Sequence, residues 1–333
     1  MPPLLEIIDL TLTIRENGRN VNPVESCSAY VRSGEVIGLV GESGSGKTLT
    51  GLSPMRLLPD GVSVAGGTIR FDQRDILKMS DQELREIRGG EIGMVFQEPM
   101  TALNPLMTVG SQITETIQAH NEIGAQKARS KALELLQSVG IPDPEARYGS
   151  YPHQLSGGMR QRILIAIAIS SDPRLLIADE PTTALDVTVQ AQILDLLRQL
   201  QRKHRMSILL ITHDLGVVTD IADRILVMYA GRIVEEGPTE EILNGPKHPY
   251  TVGLLHSIPS WRDERDRLSG IPGAIPNPGD LPGGCKFHPR CYMNDHDRCP
   301  VTEPQLEGEG GHRSRCHFPE KARESFQRES SNT

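Results

Sequence analysis

A glycine-rich motif, GESGSGKT, occupies residues 41–48 and holds the side chains best suited to phosphate chemistry. It fits the pattern G-x-x-x-x-G-K-[ST] in full, in which the glycines let backbone N–H groups turn inward around phosphate oxygens. Lys47 would reach the β- and γ-phosphates, and the Thr48 hydroxyl would take a position on Mg²⁺. A glycine-rich turn without a ligand is the alternative, but such a turn does not require the intact Lys–Thr pair. The motif therefore predicts nucleoside triphosphate binding. The residues predicted to bind the triphosphate are Gly41, Ser43, Gly44, Ser45, Gly46, Lys47 and Thr48.

Two neighbouring carboxylates, Asp179 and Glu180, follow the apolar residues of LLIADE. The apolar run predicts a buried strand whose end delivers Asp179, which is suited to hold Mg²⁺ through water. Phosphoryl transfer needs positioning and charge compensation more than covalent chemistry, so Glu180 is the expected base that polarises the attacking water. An apolar run followed by two acids can also be a solvated strand end. The presence of Lys47 in the same chain favours the hydrolytic interpretation.

Four of the five cysteines lie near the end of the chain, in the spacing C-x5-C-x7-C-x16-C. Thiols so close in sequence are candidate metal ligands, and three interpretations stay open: a zinc site, an iron–sulfur cluster, or buried thiols without a ligand. Structural zinc sites favour cysteine pairs two to four residues apart, and this spacing lacks them. Cys27, far from the others, is expected to be a small buried residue.

The elements expected around these residues predict an α/β fold. The run EVIGLV, at residues 35–40, predicts a short buried strand directly before the glycine-rich motif, with a helix after it. LLIADE and SILLITHD predict two more buried strands, separated by an amphipathic helix over residues 191–204. Helical periodicity dominates from about residue 108 to residue 171. Strands that alternate with helices imply a largely parallel sheet.

Local breaks in the regular elements can also be predicted. Pro54 falls inside the helix expected after the motif, and a proline there costs about 3 kcal/mol, so we expect a bend near Gly51–Pro54. The run RILVMYAGRIVEEG predicts a hairpin that turns at Ala230–Gly231. Residues 270–284 are too rich in proline and glycine for regular structure.

Charge and hydropathy argue against several classes of protein. A formal net charge of −8 and a pI near 5.7 argue against a large nucleic-acid-binding face. The longest purely aliphatic run, Ile163–Ile169, is far shorter than the ~18 residues of a membrane span. The start of the chain lacks the basic segment of a signal peptide. We therefore expect a cytoplasmic chain with reduced thiols, which would meet a membrane through a partner.

The sequence LSGGM, at residues 155–159, places Ser156, Gly157 and Gly158 directly before an expected helix. This arrangement would form a second anion-binding helix start. Because the chain has one phosphate motif, the second site is suited to complete the nucleotide site of another chain. LSGGM comes about 20 residues before LLIADE. In this position it resembles the signature sequence of the ATP-binding cassette (ABC) proteins.

The resemblance covers roughly residues 4–260 and implies the nucleotide-binding domain of that family. That domain has a RecA-like core, an antiparallel β part and a helical signature subdomain, here at about residues 100–171. Gln97 in VFQEP resembles the glutamine that contacts Mg²⁺ and the attacking water, and His213 resembles the histidine that contacts the γ-phosphate. TALD, Thr183–Asp186, resembles the D-loop, which implies that Asp186 lies at the nucleotide. The family works as a head-to-tail dimer that encloses ATP.

One departure from the family pattern concerns adenine. The family usually has an aromatic residue before the phosphate motif, but residues 15–29 contain none. Arg15 or Arg19 could stack on the base through the guanidinium plane instead.

Longer stretches resemble the oligopeptide, dipeptide and nickel importer class, among them FQEPMTALNPLMTVGSQITE, YPHQLSGGMRQR and LIADEPTTALDVTVQAQIL. This resemblance implies an ATPase subunit that energises peptide import. Its implied partners are a second ABC ATPase subunit, identical or homologous, two integral membrane permease subunits and, indirectly, an extracytoplasmic solute-binding protein. Import of nickel, glutathione or another small solute is the nearest alternative. A soluble, non-transport ABC ATPase is the more distant one.

The same class carries a C-terminal extension that the cysteine-rich tail resembles. The resemblance implies a [4Fe–4S] cluster held by Cys285, Cys291, Cys299 and Cys316, with Zn²⁺ as the alternative. We therefore expect an ATPase domain over residues 1–255 and a metal-binding extension over 256–318. A disordered tail is expected over 319–333, because these residues are mostly polar.

Overall fold

The computed structural model describes residues 2–16, 18–258 and 270–331. The chain divides into two compact units, here called unit one and unit two. Unit one comprises Met1–Leu4, Val31–Glu35 and Asp75–Ile211. Unit two comprises Leu5–Tyr30, Val36–Arg74 and Thr212–Thr333.

The regular elements over the described residues alternate as an α/β chain should. The strands are β1 (Leu5–Glu16), β2 (Arg19–Val31), β3 (Val36–Val40), β4 (Val62–Phe71), β5 (Arg74–Asp75), β6 (Ile92–Val95), β7 (Leu175–Asp179), β8 (Ser207–Thr212), β9 (Arg224–Tyr229), β10 (Arg232–Pro238) and β11 (Arg313–Ser314). The helices are α1 (Lys47–Leu52), α2 (Asp81–Ile87), α3 (Pro99–Ala102), α4 (Val109–His120), α5 (Ala125–Ser138), α6 (Pro144–Tyr148), α7 (Gly157–Ala168), α8 (Val187–His204), α9 (Leu215–Thr219), α10 (Thr239–Asn244), α11 (Pro249–His256) and α12 (Pro319–Ser331). Among the described residues, no helix has both the length and the apolar character needed to cross a membrane.

Unit one contains three parallel strands in the order β8-β7-β6. Every residue of these strands is buried, which is typical of parallel strands covered on both faces. The register pairs Ile92 with Leu175 and Leu175 with Ser207. The buried strands predicted from LLIADE and SILLITHD are confirmed.

Helix α8 shows why the sequence after β7 becomes helical. The Asp186 side chain caps the helix by accepting the N–H of Val189 at 2.9 Å. Ile193, Leu197 and Leu200 recur at helical spacing and are all buried. The amphipathic helix predicted for residues 191–204 is therefore confirmed and begins earlier than predicted.

Unit two contains an antiparallel sheet in the order β2-β1-β4-β5 and a group of strands in the order β11-β10-β9-β3. In the second group, β3 is parallel to β9, whereas β9 and β10 form an antiparallel hairpin. The hairpin turns at Ala230 (φ 45°) and Gly231 (φ 80°), where the sequence predicted it. Two consecutive positive φ angles match the twist of the strands, as in a type I′ turn.

The helix after the glycine-rich motif is short. Helix α1 ends at Leu52, and a single 3₁₀ turn over Ser53–Met55 follows, with Arg56 in the left-handed region. Pro54 has no N–H to donate and its ring blocks the helical path, so α-helix gives way to the tighter turn. The predicted break near Gly51–Pro54 is confirmed.

The C-terminal segment over residues 270–318 has little regular structure, as predicted for its proline- and glycine-rich start. Its two-residue strand β11 pairs with β10, Glu235 opposite Ser314. The segment belongs to unit two together with the glycine-rich motif. The boundary predicted at residue 255 therefore does not coincide with the division into compact units.

The prediction of a disordered tail over 319–333 is wrong for its described part. Helix α12 covers Pro319–Ser331, and two apolar residues one turn apart, Ala322 and Phe326, are buried. The Phe326 ring stacks on His256 with centroids 5.8 Å apart. A polar composition concealed this narrow apolar stripe, which is enough to dock the helix.

Cys27, on β2, is fully buried, as the sequence predicted. Burial raises the pKa of its thiol from 9.0 to about 12, and a hydrogen bond with the Thr50 side chain offsets only part of this shift. The folded thiol therefore keeps its proton at a pH where the thiol of the unfolded chain has lost it. Folded protein then binds more protons than unfolded protein, so the free energy of unfolding must fall as the pH rises above 9.

We expect the wild type to lose about 1.4 kcal/mol more stability than Cys27→Ala between pH 8 and pH 10, since one pKa unit corresponds to about 1.4 kcal/mol. Urea unfolding of both proteins at the two pH values measures this difference. All other titrating groups are shared and cancel in the comparison. Equal losses in the two proteins would contradict the buried, protonated state of Cys27.

Candidate active site

The glycine-rich loop connects β3 to α1 in unit two, and its glycines are required by space and by backbone angle. A Cβ atom on Gly41 would lie 2.2 Å from the carbonyl oxygen of Met228. Gly44 and Gly46 have φ angles of +82° and +103°, which side chains with a Cβ rarely adopt. Loops of this kind direct consecutive N–H groups towards an anion. The loop geometry is suited to binding a phosphate.

Lys47 and Thr48, the side chains predicted to meet the triphosphate, lie at the start of α1. Lys47 is buried, and its Nζ donates to the carbonyl oxygens of Gly41 at 2.7 Å and Glu42 at 3.0 Å. Thr48 is exposed. The ammonium group is thus held at the loop, where its positive charge would attract a phosphate.

Glu42 is held by partners that lie far from it in the sequence. Its backbone N–H donates to the Tyr250 hydroxyl at 2.8 Å. Its carboxylate accepts two hydrogen bonds from the Arg290 guanidinium, at 2.8 and 3.0 Å. These partners lie 208 and 248 residues further along the chain, so no local pattern could have identified them.

The candidate hydrolytic residues of unit one gather at the end of β7. Asp179 is the last residue of the strand and is buried. The Oε2 atom of Glu180 accepts hydrogen bonds from Gln97 Nε2 and from Thr183 Oγ1, both at 2.8 Å. The structure therefore brings together Gln97, predicted as a water and metal contact, and Glu180, predicted as the base. The sequence predicts no separate role for Thr183 beyond its place in the D-loop-like TALD.

The signature residues also lie in unit one, at the start of α7. Ser156 caps the helix, because its Oγ accepts the N–H of Met159 at 3.3 Å. Gly158 packs closely against α8, since a Cβ there would lie 2.8 Å from Val189 Cγ1. Ser156 and Gly157 are exposed, which leaves the helix start accessible to an anion.

The predicted switch histidine, His213, follows β8 directly and is exposed. Asp186, predicted to lie at a nucleotide, is exposed and caps α8.

The four C-terminal cysteines line one pocket in unit two. Its lining includes Cys285, Cys291, Cys299 and Cys316, together with His288 and His317. One ring nitrogen of each histidine lies at a backbone carbonyl, 2.9 Å from Cys285 O and 2.8 Å from Thr302 O. The structure therefore brings together all four thiols that the sequence singled out.

Burial affects the protonation of the Cys291 and Cys316 thiols. It raises the pKa of Cys291 to about 11 and that of Cys316 to about 12, and the neighbouring cysteines add to both shifts. Among the described residues, no group of three or more His, Cys, Asp or Glu side chains is arranged to hold a single metal ion. A four-iron cluster makes a different demand, because each cysteine ligates its own iron and the sulfurs need not converge on one point.

Comparison with known proteins extends these observations to the whole chain. Residues 24–183 match the family described as "ABC transporter", and residues 234–300 match "Oligopeptide/dipeptide transporter, C-terminal region". The dipeptide transport ATP-binding protein DppD of Haemophilus influenzae is 48% identical over 95% of this chain and 96% of its own length. The oligopeptide transport ATP-binding protein AppD of Bacillus subtilis is 46% identical over 96% and 98%.

A solved structure gives the same result for the fold. The dimeric ATP-binding cassette MJ0796, bound to ADP and Pi, aligns with a TM-score of 0.64 and 26% identity. The alignment covers 71% of this chain and 98% of the cassette. The full-length relatives decide the assignment to a family. The chain belongs to the ATP-binding proteins of ABC transporters, in the group that carries the oligopeptide/dipeptide transporter C-terminal region.

Proposed function

We propose that this chain is the ATP-hydrolysing subunit of a membrane importer for dipeptides and oligopeptides. The observation that carries the proposal is the identity of 46–48%, over nearly the full length, to proteins named for dipeptide and oligopeptide transport. The match to a C-terminal region described for the same transporters supports it. Nickel, glutathione or another small solute is the alternative cargo.

The proposed chemistry assigns each residue a role in ATP hydrolysis. The N–H groups of residues 41–48 and the Lys47 ammonium bind the phosphates. Thr48, Gln97 and Asp179 offer the oxygen atoms that Mg²⁺ prefers, and the ion would neutralise charge on the phosphates. Glu180 accepts the proton of the attacking water, and its hydrogen bonds from Gln97 and Thr183 orient the carboxylate for this proton transfer.

A second ATPase subunit, identical or homologous, is part of the proposal. Ser156, Gly157 and Gly158 would bind the γ-phosphate of the nucleotide held by that subunit. His213 would instead contact the γ-phosphate of the nucleotide on this chain's own phosphate loop, and Asp186 would lie at a nucleotide. The cassette MJ0796 is dimeric, which supports this arrangement. Two membrane permease subunits would couple the ATP cycle to transport, and a solute-binding protein would deliver the peptide. The subunit would work at the cytoplasmic face of the membrane, without a nucleic-acid partner.

Glu180→Gln should reduce kcat for ATP hydrolysis by about a hundredfold or more, because an amide cannot accept the proton. ATP affinity should change little, since the phosphate loop is untouched. Phosphate release and equilibrium ATP binding measure the two effects. Glu134→Gln, an exposed residue of α5, is the matched control and should hydrolyse ATP normally.

In cells whose importer contains this subunit, Glu180→Gln should also stop uptake of labelled dipeptides. Near-normal hydrolysis would contradict the role of Glu180, whereas lost hydrolysis with unchanged uptake would contradict the transport function.

We further propose that the cysteine pocket holds a [4Fe–4S] cluster, ligated by Cys285, Cys291, Cys299 and Cys316. The shared pocket supports this proposal, because four thiolates must lie close together to ligate the four irons of one cluster. The raised pKa values of the Cys291 and Cys316 thiols indicate that these two sulfurs favour their protonated form when no cation is bound. A cluster would stabilise the thiolates and cross-link a segment that has little regular structure. Zn²⁺ is the alternative metal for this pocket.

Protein purified without oxygen should contain iron and sulfide in equal amounts and absorb as a broad shoulder in the visible range. Cys299→Ser should lose most of both, because an alcohol is a poor ligand for iron. Cys27→Ser, which changes the one cysteine outside the pocket, should keep them. Stoichiometric zinc in a colourless wild type would overturn the cluster and leave the ATPase function standing.

A further inference from the structure

An acidic residue inside a phosphate-binding loop poses an electrostatic problem. Glu42 is the second residue of GESGSGKT, and its carboxylate carries the same sign of charge as the triphosphate expected there. Two like charges at close range disfavour binding, and the effect is larger in a partly buried site than in water. Glu42 is half-buried. The loop therefore needs a cation fixed beside Glu42.

Arg290 supplies that cation from the C-terminal segment of unit two. Its guanidinium binds both carboxylate oxygens of Glu42, a two-bond geometry that is stronger and more directional than a single ion pair. The Arg290 side chain is 6% exposed and the Glu42 side chain 32%, so solvent screens the pair only in part.

Further contacts, from its own segment and from β9, fix the Arg290 guanidinium. Its Nε donates to the carbonyl oxygen of Pro272 at 2.7 Å, and Nη2 donates to that of Gly273 at 3.2 Å. The group further lies 5.7 Å from the centroid of the Tyr229 ring, within cation–π range. The position of Arg290 is thus determined by its own segment and by β9, and the Glu42 carboxylate must adapt to it.

The backbone of Glu42 is fixed at the same place. Its N–H donates to the hydroxyl of Tyr250, which is fully buried on α11. The Tyr250 ring packs against Tyr229 at 4.8 Å and against Phe287 at 5.4 Å. Phe287 belongs to the same C-terminal segment as Arg290. The amide and the carboxylate of Glu42 are therefore both held by residues beyond position 248.

We propose that Arg290 is a positioning residue of the nucleotide site, which neutralises and orients Glu42 so that the phosphate loop can bind a triphosphate. The C-terminal segment is then part of the ATP site and not only a carrier of cysteines. This inference rests on the proposed ATPase function.

The test compares Arg290→Gln, Glu42→Gln and the double variant with the wild type. We expect Arg290→Gln to raise the Kd and KM for Mg-ATP about tenfold, because it leaves the Glu42 charge uncompensated beside the phosphates. Its kcat should change less than about threefold, since Arg290 does not touch the reacting atoms. Glu42→Gln and the double variant should bind Mg-ATP within about threefold of the wild type, because neither has that charge.

Two further variants separate this role from a general loss of folding. Arg290→Lys keeps the charge but not the two-bond geometry, so it should restore most of the affinity lost in Arg290→Gln. Arg298→Gln, an exposed arginine of the same segment, is the matched control and should change nothing. Calorimetric titration with Mg-ATP and steady-state phosphate release give all the values.

The outcomes distinguish this inference from the function on which it rests. A wild type that binds no Mg-ATP would overturn the ATPase proposal itself. A wild type that binds, with Arg290→Gln equal to it, would overturn only the role of Arg290. If Arg290→Gln does not fold, the double variant decides, since it contains no unpaired charge. A tenfold weaker double variant would show that charge compensation is not what Arg290 provides.

Discussion

The phosphate loop depends on a backbone that is rigid before any ligand arrives. Its N–H groups can surround a phosphate only if the peptide units keep one orientation, and the loop has few side chains that could hold them. Neighbouring backbone adds to the side-chain contacts that Lys47, Tyr250 and Arg290 make with the loop. Gly231 donates its N–H to Ser45 O at 2.9 Å, and Ser45 donates its N–H to Glu42 O at 3.2 Å. The hairpin turn at Ala230–Gly231 thus supports the loop directly, and its positive φ angles make that approach possible.

The hydrolytic carboxylate is held by a comparable constraint in unit one. Glu180 has a φ angle of 45°, uncommon for a residue with a side chain, and its N–H donates to Ile211 O at 2.8 Å. The strand next to β7 therefore keeps the backbone in this conformation. The donors on Oε2, from Gln97 and Thr183, then fix the direction of the carboxylate. A base of this kind gains from orientation, because water must be aligned with the phosphorus before it attacks.

The features that could be predicted from the sequence are those that local chemistry determines. The glycine spacing at residues 41–48, the buried strands β7 and β8, and the break at Pro54 all depend on neighbours in the chain, and the structure contains each of them. Strand β2 was missed because its Asn, Pro and Ser residues conceal the alternation of a half-buried strand. Helix α12 was missed because its apolar stripe has few members. The partners of Glu42 could not be predicted, because they lie 208 and 248 positions away in the sequence and meet Glu42 only in the folded chain.

The geometry around Arg290 links two features that look independent in the sequence. The 3₁₀ turn His288–Arg290 presents the guanidinium to Glu42, and Cys291 follows that turn directly. Before the turn, the carbonyl oxygen of Cys285 accepts the N–H of His288 at 3.1 Å. The turn is therefore bounded on both sides by cysteines of the pocket. Any ligand that holds these two sulfurs also limits how far Arg290 can move. Arg290 in turn limits the movement of Glu42. The cysteine pocket is therefore connected to the phosphate loop through one 3₁₀ turn and one ion pair.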